Sequence, residues 1–292
     1  MKGIVLAGGA GTRLHPVTLA TSKQLLPVYD KPMIYYPLSV LMLAGIREIL
    51  IITTPVDRPA FERVLGDGTR FGVHFTYAVQ AAPKGIAEAF IIGAQFLAGD
   101  PSTLILGDNI FFGNGLSELM KQAIARERGA SIFAYHVDDP QRYGVVNFDD
   151  QDRPTAIEEK PTRPSSNWAI TGLYVYDGQA VDIARSLKLS ARGELEITDL
   201  NDAYLRAGTL NVTRMGRGYA WLDAGTHDSL LEASNFMRSI EVRQGVKIGC
   251  LEEIALHNGW LSAPDINRII AGLKSSTYAR YLERVLRDIG SR

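Results

Sequence analysis

The sequence predicts a three-layer α/β sandwich whose central sheet is mixed and mainly parallel, with additional helices at the C-terminus. In the first half of the chain, short apolar runs alternate with helical patterns, and the last quarter has helical spacing of its apolar residues. Among the 292 residues, 46% are apolar, which is enough for a sizeable core. We found no repeat or long linker that would divide the chain.

The predicted elements of the first half follow one another in regular alternation. Strands are predicted at residues 3–6, 48–53, 75–78, 103–106 and 131–136, and helices at residues 35–44, 58–65, 86–97 and 116–128. This alternation is typical of βαβ units on a parallel sheet. Right-handed crossovers bring the carboxyl ends of such strands to one edge. We therefore expect a Rossmann-like sheet with any ligand site along that edge.

The pattern changes after about residue 140. Strands are predicted at residues 144–148, 156–159, 170–176 and 209–214, with a helix at residues 180–186. The final helix is predicted from one apolar face, formed by Tyr278, Tyr281, Leu282, Val285, Leu286 and Ile289. We expect residues 1–240 to form the α/β domain, in two halves that meet near residue 135. Residues 241–292 are expected to be a helical extension of the same compact unit.

Charge and cysteine content exclude several classes of protein. The net charge is −1, from 31 basic and 32 acidic residues, whereas nucleic-acid binders usually carry a basic excess. Cys250 is the only cysteine, so no intramolecular disulfide is expected and a reducing cytosol fits. The apolar run at residues 4–7 is too short for a signal peptide. Residues 35–46 are too interrupted to span a bilayer. We expect a cytoplasmic protein with no nucleic-acid or membrane partner.

A glycine-rich loop follows the first predicted strand directly, at residues 6–13 (LAGGAGTR). Glycines let backbone N–H groups approach phosphate oxygens closely. A P-loop would continue with Lys and Ser/Thr, but Thr12 and Arg13 stand here, and Leu14 breaks the dinucleotide-binding fingerprint. Lys23 supplies a second cation that suits a triphosphate. The alternative is a strand-to-helix turn with a surface arginine and a solvated lysine.

Three further segments carry polar groups that suit a ligand site. Gln80 and Gly85 lie between an extended segment and a helix, where an amide and a bare backbone can contact a base edge. Asp108 follows a buried strand, and Asp223 is a second carboxylate of the kind that holds Mg²⁺. Lys160 ends a Glu-Glu-Lys-Pro segment. The alternatives are a polar strand end at Gln80, a helix cap at Gly85 or Asp223, a turn residue at Asp108, and a solvated charged run that includes Lys160.

Together these segments resemble the signature of the nucleoside-triphosphate:sugar-1-phosphate nucleotidyltransferases. The resemblance rests on residues 8–13 (GGAGTR), 23–28 (KQLLPV) and 31–34 (KPMI), with further matches at residues 80–89, 106–109, 158–161 and 221–226 in family order. It implies the family's fold, with a nucleotide half at about residues 1–135 and a sugar-phosphate half at about 136–240.

The resemblance also implies a role for each matching residue. Catalytic roles fall on Arg13, Lys23, Asp108 and Lys160. Nucleotide binding falls on Leu6, Gly8, Gly9, Gly11, Thr12, Arg13, Lys23, Gln24, Gln80, Pro83, Gly85 and Asp108. Sugar-phosphate binding falls on Leu106, Asn109, Tyr143, Gly144, Glu159, Lys160, Gly172, Arg192 and Trp221. The Mg²⁺ ligands implied are Asp108 and Asp223.

Residues 22–39 and 106–113 are similar to the thymidylyltransferase branch of the family. That branch implies conversion of dTTP and glucose-1-phosphate into dTDP-glucose and pyrophosphate, for dTDP-rhamnose and related deoxysugar synthesis. It further implies a homotetramer with feedback inhibition by dTDP-rhamnose at a second site, to which Gly115 and Arg217-Gly218 would contribute. Uridylyl or guanylyl transfer, and a non-catalytic nucleotide-sugar sensor, remain alternatives. A glycosyltransferase would usually carry Asp-x-Asp, which Asp138-Asp139 and Asp149-Asp150 do not provide.

Overall fold

The structure, a computed structural model, describes residues 1–290. Its strands are β1 (Lys2–Ala7), β2 (Pro27–Val28), β3 (Lys31–Pro32), β4 (Glu48–Thr53), β5 (His74–Val79), β6 (Ser102–Leu106), β7 (Asn109–Gly113), β8 (Ala130–His136), β9 (Gly144–Phe148), β10 (Pro154–Glu159), β11 (Trp168–Tyr176), β12 (Leu210–Met215) and β13 (Tyr219–Asp223). Its α-helices are α1 (Tyr35–Leu43), α2 (Arg58–Leu65), α3 (Glu88–Ile92), α4 (Ala94–Leu97), α5 (Leu116–Ile124), α6 (Ala180–Ser186), α7 (Ile197–Arg206), α8 (His227–Gln244), α9 (Leu251–His257), α10 (Ala263–Gly272) and α11 (Thr277–Gly290).

The main sheet is mixed, and its order is β10-β9-β11-β6-β1-β4-β5, with β8 pairing β11 and β12 pairing β8. The strands β5, β4, β1 and β6 are parallel, so Ile4 lies opposite Leu50 on one side and Leu104 on the other. β11 runs antiparallel to β6 and β8. The carboxyl ends of the four parallel strands therefore share one edge, as the βαβ pattern predicted.

Helices cover both faces of this sheet. In β1, Ile4 and Leu6 pack into a cluster with residues of α3, α4, α6 and α7. Val5 and Ala7 pack on the opposite face with residues of α1, α2, α5 and α9. Burial on both faces explains why the parallel strands are continuous apolar runs without alternation. The predicted three-layer α/β sandwich is confirmed.

Several predicted boundaries are wrong. The helix predicted at residues 116–128 ends at Ile124, because the chain turns into β8 at Gly129, whose N–H donates to Asp177 Oδ2 at 2.7 Å. The helix predicted at residues 86–97 is split into α3 and α4 at Gly93. Helix α7 was not predicted, and neither were the short strands β7 and β13. Each of these depends on partners that lie far away along the chain.

The strands β7 and β13 form a separate antiparallel pair beside the main sheet. Asn109 lies opposite Asp223, and Gly113 lies opposite Tyr219. The backbone N–H of Ala224 also donates to the carbonyl oxygen of Asp108, at 3.2 Å. This pairing brings the segment after β6 and the segment before α8 together at the carboxyl edge of the sheet.

The C-terminal helices pack against α1 and against one another. Leu251 and Ala255 of α9 are fully buried in the cluster that covers one face of the sheet. Helices α10 and α11 close a smaller cluster around Cys250 and Ile266. On the predicted apolar face of the final helix, five residues pack into this cluster, whereas Ile289 is 40% exposed. Within residues 1–290, no helix is long and apolar enough to cross a membrane.

Candidate active site

A cavity of about 310 Å³ opens at the carboxyl edge of the sheet. It is lined by Arg13, Ile86, Leu106, Asp108, Asn109, Arg142, Tyr143, Gly144, Glu159, Lys160, Ile170, Gly172, Tyr174, Ile197, Thr198, Trp221 and Asp223. The wall thus contains both predicted metal ligands and most of the predicted sugar-phosphate residues. It draws on strands of both halves of the sheet and on the β7–β13 pair.

The glycine-rich loop leaves the end of β1 beside this cavity. Gly9 has φ +92°, a backbone conformation that only glycine adopts readily, and a β-carbon there would meet no atom within 4 Å. The loop leads into a short 3₁₀ helix, Thr12–Leu14, which carries Arg13. A β-carbon at Gly225 would lie 3.0 Å from Arg13 Nη2, so the guanidinium packs against the turn that follows Asp223. The loop thus combines an open backbone at Gly9 with a cation, Arg13, that lines the cavity.

Lys23 does not line the cavity, but it is in direct contact with Asp108, which does. Lys23 Nζ donates to Asp108 Oδ2, and the Asp108 side chain is 12% exposed. Burial by itself disfavours the charged carboxylate, but the Lys23 ammonium outweighs it and lowers the pKa of Asp108 below its usual value. Next to Lys23, the buried Gln24 donates from Nε2 to the carbonyl oxygen of Gly8, at 3.3 Å. Gln24 therefore ties this segment to the glycine loop.

Asp223 ends β13 and has weaker compensation. Burial, followed by repulsion from the Asp108 carboxylate, raises the pKa of Asp223 to about 6. The nearest guanidinium nitrogen of Arg142 stands 3.8 Å from Asp223 Oδ2. Asp223 does not cap α8, because Thr226 does so in a capping box with Ser229. Asp223 therefore lines the cavity without a role as the cap of α8.

The two carboxylates fit a divalent cation that completes its shell with substrate oxygens. Within residues 1–290, no group of three or more His, Cys, Asp or Glu side chains is arranged to hold a metal. Mg²⁺ commonly uses one or two carboxylates together with phosphate oxygens and water. Asp108 and Asp223 supply that donor set, and their mutual repulsion is the charge arrangement that a dication relieves.

Asn109 links three parts of the site. Its Oδ1 accepts from the backbone N–H of Gly172 at 3.0 Å and from the indole N–H of Trp221 at 2.6 Å. Its Nδ2 donates to Asp108 Oδ1 at 3.1 Å. Asn109 is 3% exposed, so these bonds are made away from water. They hold β11, β13 and Asp108 in one arrangement, although Trp221 lies 112 residues away in the sequence.

Elsewhere in the cavity lining, Glu159 is the last residue of β10 and Lys160 follows it. Lys160 Nζ lies 3.2 Å from Glu159 Oε1, and the Lys160 backbone has φ +42°, which is unusual for a residue with a side chain. Tyr143 accepts the Lys160 N–H on its carbonyl oxygen at 3.1 Å and packs on Trp221. Arg192 lies just behind this wall and donates to Glu159 at 2.8 Å and to Glu196 at 2.7 Å. Arg192 thus orients Glu159 from outside the cavity.

The residues predicted to bind a base lie beside the cavity and not in its wall. Gln80 is 6% exposed and donates to Glu88 Oε2 at 2.8 Å and to the Gly85 carbonyl at 3.2 Å. Gly85 has φ +99°, and a β-carbon there would lie 2.2 Å from the Leu195 carbonyl oxygen. Its glycine is therefore required by chain packing. Pro83 is exposed nearby, while Leu6 is the buried second-last residue of β1.

Several lining residues were not among the predicted site residues. Arg142 could have been found, because it directly precedes the Tyr143-Gly144 match. The apolar residues Ile170, Tyr174 and Ile197 carry no local signal, since strand and helix residues of this kind are usually core. Thr198 is brought to the cavity by α7, a helix that the sequence pattern did not reveal.

The fold and this site define an α/β protein with a cavity of mixed charge at the carboxyl edge of the parallel strands of its sheet. A model of the nucleotidyl transferase family matches residues 2–240. The chain therefore belongs to the nucleotidyl transferase family, as the resemblance predicted.

Curated relatives are similar over nearly the whole chain. A glucose-1-phosphate thymidylyltransferase of Neisseria meningitidis serogroup A is 57% identical over 98% of this chain and 100% of its own length. One of Mycobacterium tuberculosis is 52% identical over 98% and 99%.

Solved structures have the same fold. A putative glucose-1-phosphate thymidylyltransferase from Bacillus anthracis, in complex with a sucrose, superposes with a TM-score of 0.76, at 44% identity over 82% of this chain and 95% of that one. A UDP-glucose pyrophosphorylase complexed with UDP-glucose gives a TM-score of 0.71 at 23% identity, over 82% and 98%, and shares the fold.

Proposed function

We propose that the protein converts dTTP and α-D-glucose-1-phosphate into dTDP-α-D-glucose and diphosphate. The observation that carries this proposal is the meeting of Asp108 and Asp223 with Arg13 and Lys160 around one cavity at the sheet edge, with Lys23 in contact with Asp108. The names of relatives that are more than half identical to this chain support the choice of nucleotide and sugar.

The reaction is an in-line transfer in which a phosphate oxygen of glucose-1-phosphate attacks the α-phosphorus of dTTP. The P–O bond to the β-phosphate breaks, and diphosphate leaves. The attacking phosphate is already an anion at neutral pH, so no strong base is required. The main barriers are repulsion between two anions and the charge that develops on the leaving group, both of which positioned cations lower.

The position of each cation determines which phosphate group it neutralises. Arg13, beside the open glycine loop, and Lys23 neutralise the triphosphate. Lys160, which lines the same cavity, binds the phosphate of the sugar, and Glu159 accepts from a sugar hydroxyl. Asn109 and Trp221 keep the wall between them in place. The two substrates are thereby held with their phosphates facing one another.

Asp108 and Asp223 hold Mg²⁺ in this proposal. When bound, the ion polarises the α-phosphate and neutralises part of its charge. The base of the nucleotide lies against the glycine loop, where Gln80 and the Gly85 backbone contact its polar edge. Gln80 by itself does not separate thymine from uracil, so the preference for dTTP rests on the similarity to the curated relatives.

Diphosphate release with a matrix of substrates tests the proposal. ATP, CTP, GTP, UTP and dTTP are each paired with glucose-, galactose- and mannose-1-phosphate, with Mg²⁺ and with EDTA. We expect the highest kcat/KM for dTTP with glucose-1-phosphate and no turnover in EDTA. A strong preference for GTP with mannose-1-phosphate would overturn the assignment.

Single substitutions test the assigned roles. Arg13→Ala and Asp108→Asn are expected to lower kcat by about 10²–10³-fold, because each removes a positioned charge from the transferring phosphate. Circular dichroism and thermal melting should show an intact fold. Matched controls are Arg153→Ala, at an exposed pair with Asp149, and Asp150→Asn on the same surface turn. Full activity of either site variant would contradict its role.

We also propose a homotetramer with a second nucleotide-sugar site that takes dTDP-rhamnose. Gly115 lies at the start of α5, and the pairing of Gly113 with Tyr219 brings it close to the turn that contains Arg217 and Gly218. Analytical ultracentrifugation, together with inhibition by dTDP-rhamnose that is not competitive with dTTP, tests this assembly. A monomer, or purely competitive inhibition, would contradict it.

A further inference from the structure

Both candidate metal carboxylates are already in contact with side-chain cations. Lys23 Nζ donates to Asp108, and Arg142 Nη2 stands 3.8 Å from Asp223 Oδ2. A dication that binds both carboxylates would be strongly repelled by two cations in these positions. Metal binding therefore requires these side chains to move away from the carboxylates. The other groups that line the cavity determine the positions open to them.

Few contacts restrain the side chain of Arg142. It ends a short 3₁₀ helix, Pro140–Arg142, and its side chain is 40% exposed. One guanidinium nitrogen donates to Asp139 at 2.8 Å, and Asp139 is itself 43% exposed. An ion pair of this exposure contributes little to stability. The guanidinium therefore bridges a surface carboxylate and a site carboxylate without being locked to either.

Once a divalent cation binds Asp223, Arg142 can bind a second partner within the cavity. Arg142 lines the same cavity as Lys160, which the proposed function assigns to the phosphate of the sugar, and Glu159, which it assigns to a sugar hydroxyl. The guanidinium carbon lies 5.2 Å from the centre of the Tyr143 ring, which supports the side chain along this wall. A planar guanidinium fork matches two phosphate oxygens.

We propose that Arg142 binds the phosphate of the sugar-1-phosphate and is held on Asp223 until a divalent cation takes that carboxylate. This inference rests on the proposed function and adds a residue to it. Metal binding at Asp223 frees a cation for the incoming phosphate, so the metal and the sugar phosphate favour each other's binding.

The test separates metal binding from turnover. Mn²⁺ is titrated into the substrate-free protein and followed by the EPR signal of free Mn²⁺, for the unmodified chain, Arg142→Gln and Arg142→Lys. Arg142→Gln should bind Mn²⁺ about fivefold more tightly, because a competing cation is gone. Arg142→Lys, which keeps the charge, should stay near the unmodified value.

Steady-state kinetics at saturating Mg²⁺ give the second measurement. Arg142→Gln should raise KM for glucose-1-phosphate by about tenfold or more, as loss of a charged hydrogen bond does, and change KM for dTTP by less than about twofold. Arg142→Lys should lie between. Arg153→Gln, which removes an arginine from a similar surface pair outside the cavity, should change neither measurement.

Two results would overturn the inference. Unchanged Mn²⁺ affinity in Arg142→Gln would mean that Arg142 does not compete for Asp223. Equal increases in both KM values would mean that it does not act on the sugar phosphate. If the unmodified protein shows no turnover, the proposed function fails and the phosphate role fails with it. The Mn²⁺ titration, which needs no turnover, then still decides the exchange at Asp223.

Discussion

At the scale of single residues, Asp108 and Asp223 show how the same side chain behaves differently in two environments. Asp108 has Lys23 in direct contact, and its pKa lies below the usual value. Asp223 is almost as well buried, but its guanidinium neighbour is 3.8 Å away and Asp108 repels it, so its pKa rises to about 6. The negative charge of Asp108 is thus compensated by Lys23, whereas the negative charge of Asp223 is compensated less well.

This difference predicts a pH-dependent stability for the metal-free protein. Because the folded-state pKa of Asp223 is raised, the folded protein binds its proton more tightly than the unfolded chain does. Protonated Asp223 stabilises the folded protein fully below about pH 4, and this stabilisation is lost as the pH rises through about 6. At neutral pH the ionised Asp223 carboxylate therefore destabilises the folded protein.

Asp223→Asn should therefore raise the free energy of unfolding in EDTA by on the order of 1–3 kcal/mol at pH 7.5. The gain should shrink as the pH is lowered from 7 to 5. Urea unfolding at several pH values measures it, and Asp150→Asn on the surface is the control. A gain that is constant with pH would contradict the assignment of the raised pKa to Asp223.

Gly85 gives a steric prediction at the same scale. Gly85→Ala should destabilise the fold by about 3 kcal/mol, because a β-carbon at φ +99° would lie 2.2 Å from the Leu195 carbonyl oxygen. Gly208→Ala is the matched control: Gly208 has φ +70° but open space around it, so only about 1 kcal/mol is expected. Thermal melting compares the two, and equal losses would rule out the clash.

At the scale of elements, a cluster of charges around the buried Lys31 and Glu241 ties the β2–β3 hairpin to α8. Lys31, which is 2% exposed, contacts Asp30 and donates to Glu241 Oε1 at 2.8 Å. Lys247 pairs with the same two carboxylates. The hairpin follows Lys23 and Gln24, and the N–H of Ile34 donates to the Gln24 carbonyl at 2.9 Å. The cluster therefore helps to position the segment that carries Lys23.

Lys31→Met should cost about 3 kcal/mol, because removing one partner leaves buried negative charge with less compensation. It should also lower kcat through the displaced Lys23 segment. Urea unfolding and steady-state kinetics measure the two effects. Adding Glu241→Gln to Lys31→Met removes the excess charge and should recover part of the stability. If the double variant is no more stable than the single one, the loss comes from packing and not from charge.

At the scale of the whole molecule, the C-terminal helices belong to the core as much as the sheet helices do. Leu251 and Ala255 share a cluster with Val5 and Tyr35, and Asn258 Nδ2 donates to the Met42 carbonyl at 3.2 Å. The guanidinium of Arg47 also lies 5.4 Å from the ring centre of Trp260. These contacts support our proposal that residues 241–292 extend the same compact unit.

A chain that ends at residue 249 should therefore fail to unfold cooperatively, because it exposes apolar surface beneath α9 in a fold whose net stability is only about 5–15 kcal/mol. Differential scanning calorimetry tests this. A chain that ends at residue 276 is the control, since it uncovers only the cluster around Cys250 and should melt cooperatively at a lower temperature. Normal melting of the shorter chain would show that the extension is independent.

Much of the fold could be predicted because its signals are local. The apolar runs of β1, β4 and β6 and the glycines after β1 are visible in a short window, and the chirality of crossovers orders the strand ends. Candidate residues that directly follow strands, such as Asp108 and Lys160, could be found in the same way. Thr198 at the site, the contact of Arg142 with Asp223 and the hydrogen bonds of Asn109 could not, because they depend on which strands and helices meet.

The sequence by itself determined the alternating elements, the edge of the sheet at which a ligand site is expected and the family to which the chain belongs. Only the tertiary structure decided that Asp223 lies beside Asp108 and that Asn109 accepts a hydrogen bond from Trp221. It also decided that Lys23 pairs with Asp108 and Arg142 with Asp223. The physical reason is the range of the interactions. Hydrophobic periodicity acts within a few turns of chain, whereas these hydrogen bonds and charge contacts form between segments that only the folded backbone brings together.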